Sequence, residues 1–147
     1  MIDFQNTLGP WMGRTMKLMD IHFQDEFKEN NLLLSKNQWI VLKVLMENDG
    51  LAQNELAFIT NRDKTSLTRL LSGMEKKNLV ARIPSKTDKR INNIFLTKKG
   101  NQIFQKTLPV IQKLIEDIQA PLSEKEIEQT IKTLQKIQTH LITKIDS

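Results

Sequence analysis

Apolar residues recur every three or four positions along most of this chain, which is the spacing of helices that bury one side. The first such stretch covers residues 8–29. A second helix is predicted to begin at Ser35, because Ser35 and Gln38 have the spacing of a capping box. A short third helix is predicted over residues 53–59.

A fourth helix is expected to begin at Asp63, since an acidic residue suits a helix N-terminus, and to end near Lys77. Asn61 precedes this helix and Asn78 follows it, and asparagine tolerates the left-handed backbone of a tight turn. The third and fourth helices are therefore predicted to form a pair joined by a short turn.

Two short runs rich in β-branched and aromatic residues follow at 79–83 and 91–96, separated by a polar, charged turn. They predict a β-hairpin, with Pro84 at a strand boundary. Helical spacing then resumes as far as Ile118, and Pro109 is predicted to kink or break that helix.

The last predicted helix begins at a second capping box, formed by Ser123 and Glu126. Its apolar positions follow at steps of three and four, at Ile127, Ile131, Leu134, Ile137 or Gln138, Leu141 and Ile145. A stripe of this size is too large to leave in water, so a partner surface is expected.

Basic residues are concentrated in one window, residues 62–99, which holds eleven of the 22 lysines and arginines but only three of the 17 acidic residues. The window carries a net charge of +8, and the rest of the chain carries −3. Such a confined cationic surface is typical of proteins that bind a polyanion such as DNA. A solvated lysine-rich helix is the simpler alternative.

The remaining composition mainly excludes functions. The chain has no cysteine, which rules out disulfides, thiolate metal sites and thiol-based oxidation sensing. Its two histidines, His22 and His140, are far apart in sequence, so we expect no metal, no zinc sensing and no cofactor. No nucleophile or phosphate-loop motif is present, and an enzyme is not expected. Without a signal pattern or membrane span, the chain is predicted to be cytoplasmic.

A helix pair followed by a basic hairpin predicts a winged helix-turn-helix, whose second helix enters the major groove while the hairpin reaches the backbone or minor groove. Thr65, Ser66 and Thr68 carry short hydroxyls suited to phosphates or base edges. Arg69 is long enough for a bidentate contact to guanine. Arg62 and Lys64 are better suited to phosphates.

The hairpin turn is the second candidate contact with DNA. It carries three cations, Lys86, Lys89 and Arg90, at the position of a wing tip. Asp88 lies among them and is expected to hold Arg90 rather than to contact DNA, because phosphate would repel a carboxylate.

In these motifs the chain resembles the MarR (multiple antibiotic resistance regulator) family of transcription factors. The order and spacing match over roughly residues 35–100, and the flanking helices match the family layout. The segments that carry the resemblance are Gln53-Asn54-Glu55-Leu56-Ala57, Lys64-Thr65-Ser66-Leu67-Thr68-Arg69-Leu70-Leu71, Met74-Glu75-Lys76-Lys77-Asn78-Leu79-Val80-Ala81-Arg82, Asp88-Lys89-Arg90 and Leu96-Thr97-Lys98-Lys99-Gly100. The chain departs from the family at Asn78, where glycine is usual.

The resemblance implies a mainly α fold with a small β-hairpin wing and a homodimer whose first and last helices interlock. Residues 1–147 then form one domain, with a winged helix-turn-helix lobe at 35–100 and a helical dimerisation layer at 1–34 and 101–147. The resemblance also implies a pseudo-palindromic operator in double-stranded DNA, with Arg90 in the minor groove. Repression in this family is commonly relieved by a small molecule.

Two alternatives stay open. Trp11, Met12, Met16 and Trp39 could line an effector pocket, because aromatic and methionine side chains suit adaptable apolar sites, or they could be core and dimer contacts. The whole protein could instead be a winged-helix module that binds proteins and not an operator. The charge of the basic window argues against that second function.

Overall fold

The computed structural model describes residues 1–146, which form six α-helices and three short β-strands. In chain order these are α1 (Leu8–Glu29), α2 (Lys36–Glu47), β1 (Leu51–Ala52), α3 (Gln53–Ile59), α4 (Lys64–Lys76), β2 (Val80–Pro84), β3 (Asn92–Leu96), α5 (Lys98–Gln119) and α6 (Glu124–Ile145). One turn of 3-10 helix, Phe4–Asn6, precedes α1. The predicted fold class, mainly helical with a small hairpin, is confirmed.

Helix starts follow from local side-chain chemistry, as predicted. The Ser35 hydroxyl accepts a hydrogen bond from the Gln38 amide while the Gln38 side chain accepts one from the Ser35 amide. Ser123 and Glu126 form the same reciprocal pair at the start of α6. The Asp63 carboxylate caps α4 by accepting a backbone N–H at 2.7 Å. These three helices therefore begin where the sequence predicts.

The two predicted left-handed asparagines are confirmed, with φ of 54° at Asn61 and 60° at Asn78. Asn61 lets the chain turn between α3 and α4, and Asn78 ends α4 and directs the chain into β2. Gly50, at the predicted end of the second helix, and Asn31, which no sequence pattern singled out, also have positive φ, at 78° and 56°.

The sheet is antiparallel, with strand order β1-β3-β2. The predicted hairpin is β2 and β3, paired so that Arg82 lies opposite Ile94 and Pro84 opposite Asn92. β1 pairs with the other edge of β3, placing Leu51 opposite Ile94. This strand was missed because two residues give no periodic signal.

The core of the helix pair and the hairpin is formed by side chains from α2, α3, α4 and the sheet. Nine of them are 0–1% exposed: Val41, Leu42, Leu45, Leu56, Leu67, Leu71, Met74, Leu79 and Ile94. Burial of these residues fixes which side of α4 faces inward, so the opposite side of α4 is left to solvent.

The chain divides into two compact units, one of residues 1–112 and one that begins at Lys113. The first unit contains the whole predicted winged helix-turn-helix lobe, while the assignment of the terminal helices to a dimerisation layer stays a prediction.

α5 continues through Pro109 without interruption, so the break considered there does not occur. A single proline removes only one backbone hydrogen bond, which a 22-residue helix can lose.

α6 has no buried residue. Its apolar stripe is largely exposed in the single chain, with Ile131 at 49% and Leu141 at 50%.

Across residues 1–146, no helix combines the length and apolar character needed to cross a membrane.

Candidate nucleic-acid interface

The outer side of α4 presents polar side chains to solvent, because Leu67 and Leu71 anchor its inner side in the core. Lys64, Thr65 and Arg69 are all exposed. Thr65 and Arg69 lie four residues apart and so share one face of the helix. Within residues 1–146 neither of these two side chains has a hydrogen-bond or ion-pair partner. Both are therefore available to an external ligand.

The other polar residues predicted on α4 already have partners inside the protein. The Ser66 hydroxyl accepts a hydrogen bond from Arg62 Nη1 at 2.6 Å. The Thr68 hydroxyl donates to the Lys64 carbonyl and accepts from Gln53 Nε2, each at 2.8 Å. Of the four predicted base-contacting side chains, only Thr65 and Arg69 are thus free of such internal bonds.

The three cations predicted at the wing tip are exposed to solvent. The side chain of Arg90 is 90% exposed, and Lys86 and Lys89 are exposed as well. Asp88 Oδ1 accepts from Arg90 Nε at 3.2 Å and from the Arg90 amide at 3.0 Å, while Oδ2 accepts from Nη2 at 3.3 Å. These hydrogen bonds, from the side chain first and the backbone second, hold the pKa of Asp88 below its ordinary value. The bonds to Asp88 leave other guanidinium N–H groups of Arg90 directed to solvent.

Several cations of the basic window have structural partners. Lys77 Nζ donates to the Leu33 carbonyl at 2.9 Å and to Gln38 Oε1 at 3.2 Å. Lys99 Nζ donates to the Lys77 carbonyl at 3.0 Å. Arg82 is paired with Glu75. Fewer of the eleven cations are therefore free to contact a ligand, while the net charge of +8, which already subtracts Glu75, is unchanged.

Arg82 joins β2 to α4 at the base of the wing. Its Nε and Nη2 donate to Glu75 Oε1 at 2.9 and 2.6 Å, and Nη2 also donates to Ser72 Oγ at 3.2 Å. The hydrogen bond from the Arg82 side chain holds the pKa of Glu75 below its ordinary value, against a smaller opposing effect of burial. We call Ser72, Glu75 and Arg82 the Arg82 cluster.

An open cleft of about 480 Å³ separates the wing from α3 and α4. Lys64, Arg82 and Arg90 contribute to its lining, together with Gln53 and Asn92. The cations at the two sides of the cleft give it a positive character, which is the sign that a phosphate backbone requires.

The four residues predicted for an effector pocket have different surroundings. Trp39 is half-buried, with its ring 5.8 Å from that of Phe104 and its indole N–H donating to Thr107 Oγ1 at 2.8 Å. Trp11, Met12 and Met16 are exposed on α1, at 61%, 40% and 49%.

Sequence reasoning missed the supporting residues of this surface. Gln53 was recognised only as part of a motif, yet it bonds the Thr68 hydroxyl. Ser72 was not singled out, and Glu75 and Arg82 were recognised only as charged residues of the basic window and as part of a motif. The seven-residue separation of Glu75 and Arg82 was the available signal, because α4 ends and β2 begins between them.

The sequence profile of the MarR family matches residues 34–91. The HTH-type transcriptional regulator YybA of Bacillus subtilis is 28% identical over 93 residues, covering 63% of this chain and 61% of that protein. The homoprotocatechuate degradative operon repressor of Escherichia coli is 27% identical over 115 residues, covering 78% of this chain and 76% of the repressor.

The fold is also that of solved regulators. A crystal structure of a mutant E. coli MarR complexed with operator DNA superposes with a TM-score of 0.83 at 24% identity, covering 88% of this chain and 92% of that one. Its likeness establishes the fold. The matched segment contains the whole helix pair and most of the wing described above, and in sequence and fold the chain is therefore similar to the MarR family of transcriptional regulators.

Proposed function

We propose that this chain is a homodimeric repressor that binds a pseudo-palindromic operator through α4 and the wing. The observation that carries the proposal is the pair of free polar side chains, Thr65 and Arg69, on the outer side of a helix whose inner side is fixed in the core. A helix anchored in this way can enter the major groove with its outer side towards the bases.

Within this proposal Arg69 reads a base edge and Thr65 contacts a base or a phosphate. Lys64 contacts phosphate from the first turn of α4. Arg62, Ser66 and Thr68 act mainly by holding the start of α4, because their polar groups are occupied inside the protein. This division refines the sequence prediction, which assigned all of them to DNA contact.

The wing supplies the second contact. Lys86 and Lys89 are exposed at its tip and are proposed to neutralise phosphates. Arg90 is proposed to enter the minor groove, with Asp88 limiting the directions that its side chain can take. A guanidinium held by one carboxylate loses less rotational freedom when it binds than an unrestrained one.

The dimer is proposed from the exposed stripe on α6 and the exposed apolar residues of α1. Leu141 is 50% exposed and Leu18 is 51% exposed in the single chain, and burial against a second copy would remove such surface from water. Two copies would carry two recognition helices, which matches a two-fold symmetric operator.

Relief of repression by a small molecule is part of the same proposal. Trp11, Met12 and Met16 are the better candidates for ligand contact, since their side chains are exposed. Trp39 is the weakest candidate because its ring is stacked and its N–H is satisfied within the chain.

We further propose a cytoplasmic protein without catalytic activity, which is the general character of this family.

A fluorescence anisotropy titration tests the DNA-binding claim. The protein is titrated into the region upstream of its own gene and into a random duplex of equal length, at two salt concentrations. Tighter binding to the upstream duplex with a steep salt dependence supports an operator-binding regulator. Absence of binding to both duplexes at low salt would refute it and favour the protein-interaction module.

A further inference from the structure

The Arg82 cluster lies where the recognition helix and the wing meet, and it involves no side chain proposed to touch DNA. In the antiparallel register Arg82 lies opposite Ile94, so both side chains point to the same face of the sheet. Ile94 is fully buried. Arg82 thus occupies a core-facing position of β2, where an apolar residue would be the simpler choice.

The cluster holds Arg82 against one face of α4. Glu75 and Ser72 lie three residues apart on α4, and the Arg82 guanidinium donates to both. Ser72 Oγ in turn donates to the Thr68 carbonyl at 2.9 Å, and the Thr68 hydroxyl accepts from Gln53. Two sets of hydrogen bonds that share the residue Thr68 therefore connect the wing, along one side of α4, to the start of α3.

The Arg82–Glu75 pair is expected to contribute little to the free energy of folding. The side chains of Arg82 and Glu75 are 22% and 35% exposed, so water screens their attraction in part. A planar guanidinium that donates twice to one carboxylate oxygen and once to a hydroxyl nevertheless allows few orientations. The main physical effect is to fix the position of β2 relative to α4.

We propose that Ser72, Glu75 and Arg82 are positioning residues for operator binding, which hold the wing at the separation from α4 that lets Arg90 and Arg69 contact one duplex together. The inference rests on the proposed function. Two contacts on a rigid duplex bind together only when their spacing is set beforehand, because otherwise binding must also order the wing. These residues would act on DNA affinity without touching DNA.

Two variants with opposite charge changes distinguish positioning from electrostatics. Glu75→Gln removes a negative charge, so simple electrostatics predicts tighter binding to every duplex, whereas Arg82→Met removes a positive charge and predicts weaker binding. Positioning predicts that both variants lose roughly tenfold in affinity for the duplex preferred by the wild type, the cost of ordering one or two wing side chains. Affinity of Glu75→Gln for random DNA should stay equal or rise.

The matched controls are Glu47→Gln and Lys43→Met, which make the same two changes in the exposed α2 pair Lys43 and Glu47, 3.8 Å apart. Both controls should retain wild-type affinity. Changes of opposite sign in Glu75→Gln and Arg82→Met on the preferred duplex, or no change in Glu75→Gln, would overturn the proposal.

A DNA-free measurement separates this proposal from the proposed function. Hydrogen exchange of the backbone amides in β2 and β3 should be several-fold faster in Glu75→Gln than in the wild type and in Glu47→Gln. Unchanged exchange would overturn the positioning role. A wild-type protein that prefers no duplex would instead refute the proposed function, and the exchange rates would still decide whether the cluster holds the wing.

Discussion

Arg69 and Lys89 are expected to affect DNA binding in different ways, Arg69 through base preference and Lys89 through general affinity. Arg69→Ala should cost about 1–3 kcal/mol on the preferred operator and relax base preference at one position in each half-site, because a bidentate contact to guanine is lost. Lys89→Ala should weaken binding to all sequences and reduce the salt slope by about 1, because a phosphate contact is lost.

Anisotropy titrations of both variants against the operator, single-base variants of it and random DNA would measure this division. Equal losses on specific and random DNA from the two substitutions would contradict it.

Gly100 is a position where neighbouring backbone leaves no room for a side chain. A Cβ at this position in the first turn of α5 would lie 2.2 Å from the Leu79 carbonyl oxygen, which is backbone and cannot rotate away. Gly100→Ala is expected to lower the free energy of unfolding by about 1–3 kcal/mol, since the chain must shift to relieve the overlap.

Urea unfolding would measure the effect, with Gly73→Ala in α4 as the matched control. A Cβ at Gly73 would meet only Gln38 Nε2 at 4.0 Å, so the control should keep or gain stability. Equal stability of Gly100→Ala and the wild type would contradict the close approach of α5 to the Leu79 carbonyl.

The elements of this fold were predictable to different degrees. Helix ends were predicted well because caps such as Ser35 and Asp63 act on backbone groups within three residues. The strand β1 was not, since it exists only by pairing with β3. The number of free cations in the basic window was overestimated for a similar reason, because a sequence does not show that Lys77 is bonded to the Leu33 carbonyl.

Glu75 connects two elements, and its ionisation should make their attachment depend on pH. Its pKa is lowered in the folded protein by the hydrogen bond from Arg82, so the carboxylate stabilises the fold above its unfolded pKa of about 4.3. This stabilisation is lost as the pH falls through the lower folded value. Because the pair is partly exposed, the contribution should not exceed about 1 kcal/mol.

Unfolding free energies of the wild type and Glu75→Gln at several pH values test this expectation. The wild type should be the more stable protein near neutral pH, and the difference should shrink below about pH 4.3. A difference that grew on acidification would contradict the assigned sign.

At the scale of the whole molecule the exposed stripe on α6 is expected to bury itself in the dimer. Leu141→Glu places a charge on this stripe and should shift the protein towards monomers in analytical ultracentrifugation, since an unpaired charge at an apolar interface is costly. Gln129→Glu adds the same charge on the opposite side of α6 and should leave the dimer intact. Dimers of undiminished stability in Leu141→Glu would contradict the proposed role of the stripe.

Local patterns in the sequence predicted the DNA-facing lobe, but they do not specify which bases it binds. In the proposed complex that information would come from the orientation of the Thr65 and Arg69 side chains against a duplex. The proposed dimer, in contrast, predicts a two-fold symmetric operator, because it would carry two recognition helices.

Selection of duplexes from a random-sequence library by the full-length protein therefore tests the central claim most directly. We expect enrichment of an inverted repeat whose half-sites are centred about 10 base pairs apart, or a multiple of that spacing. Enrichment of no sequence, or of a single site without two-fold symmetry, would contradict a dimeric repressor that binds its operator through α4 and the wing.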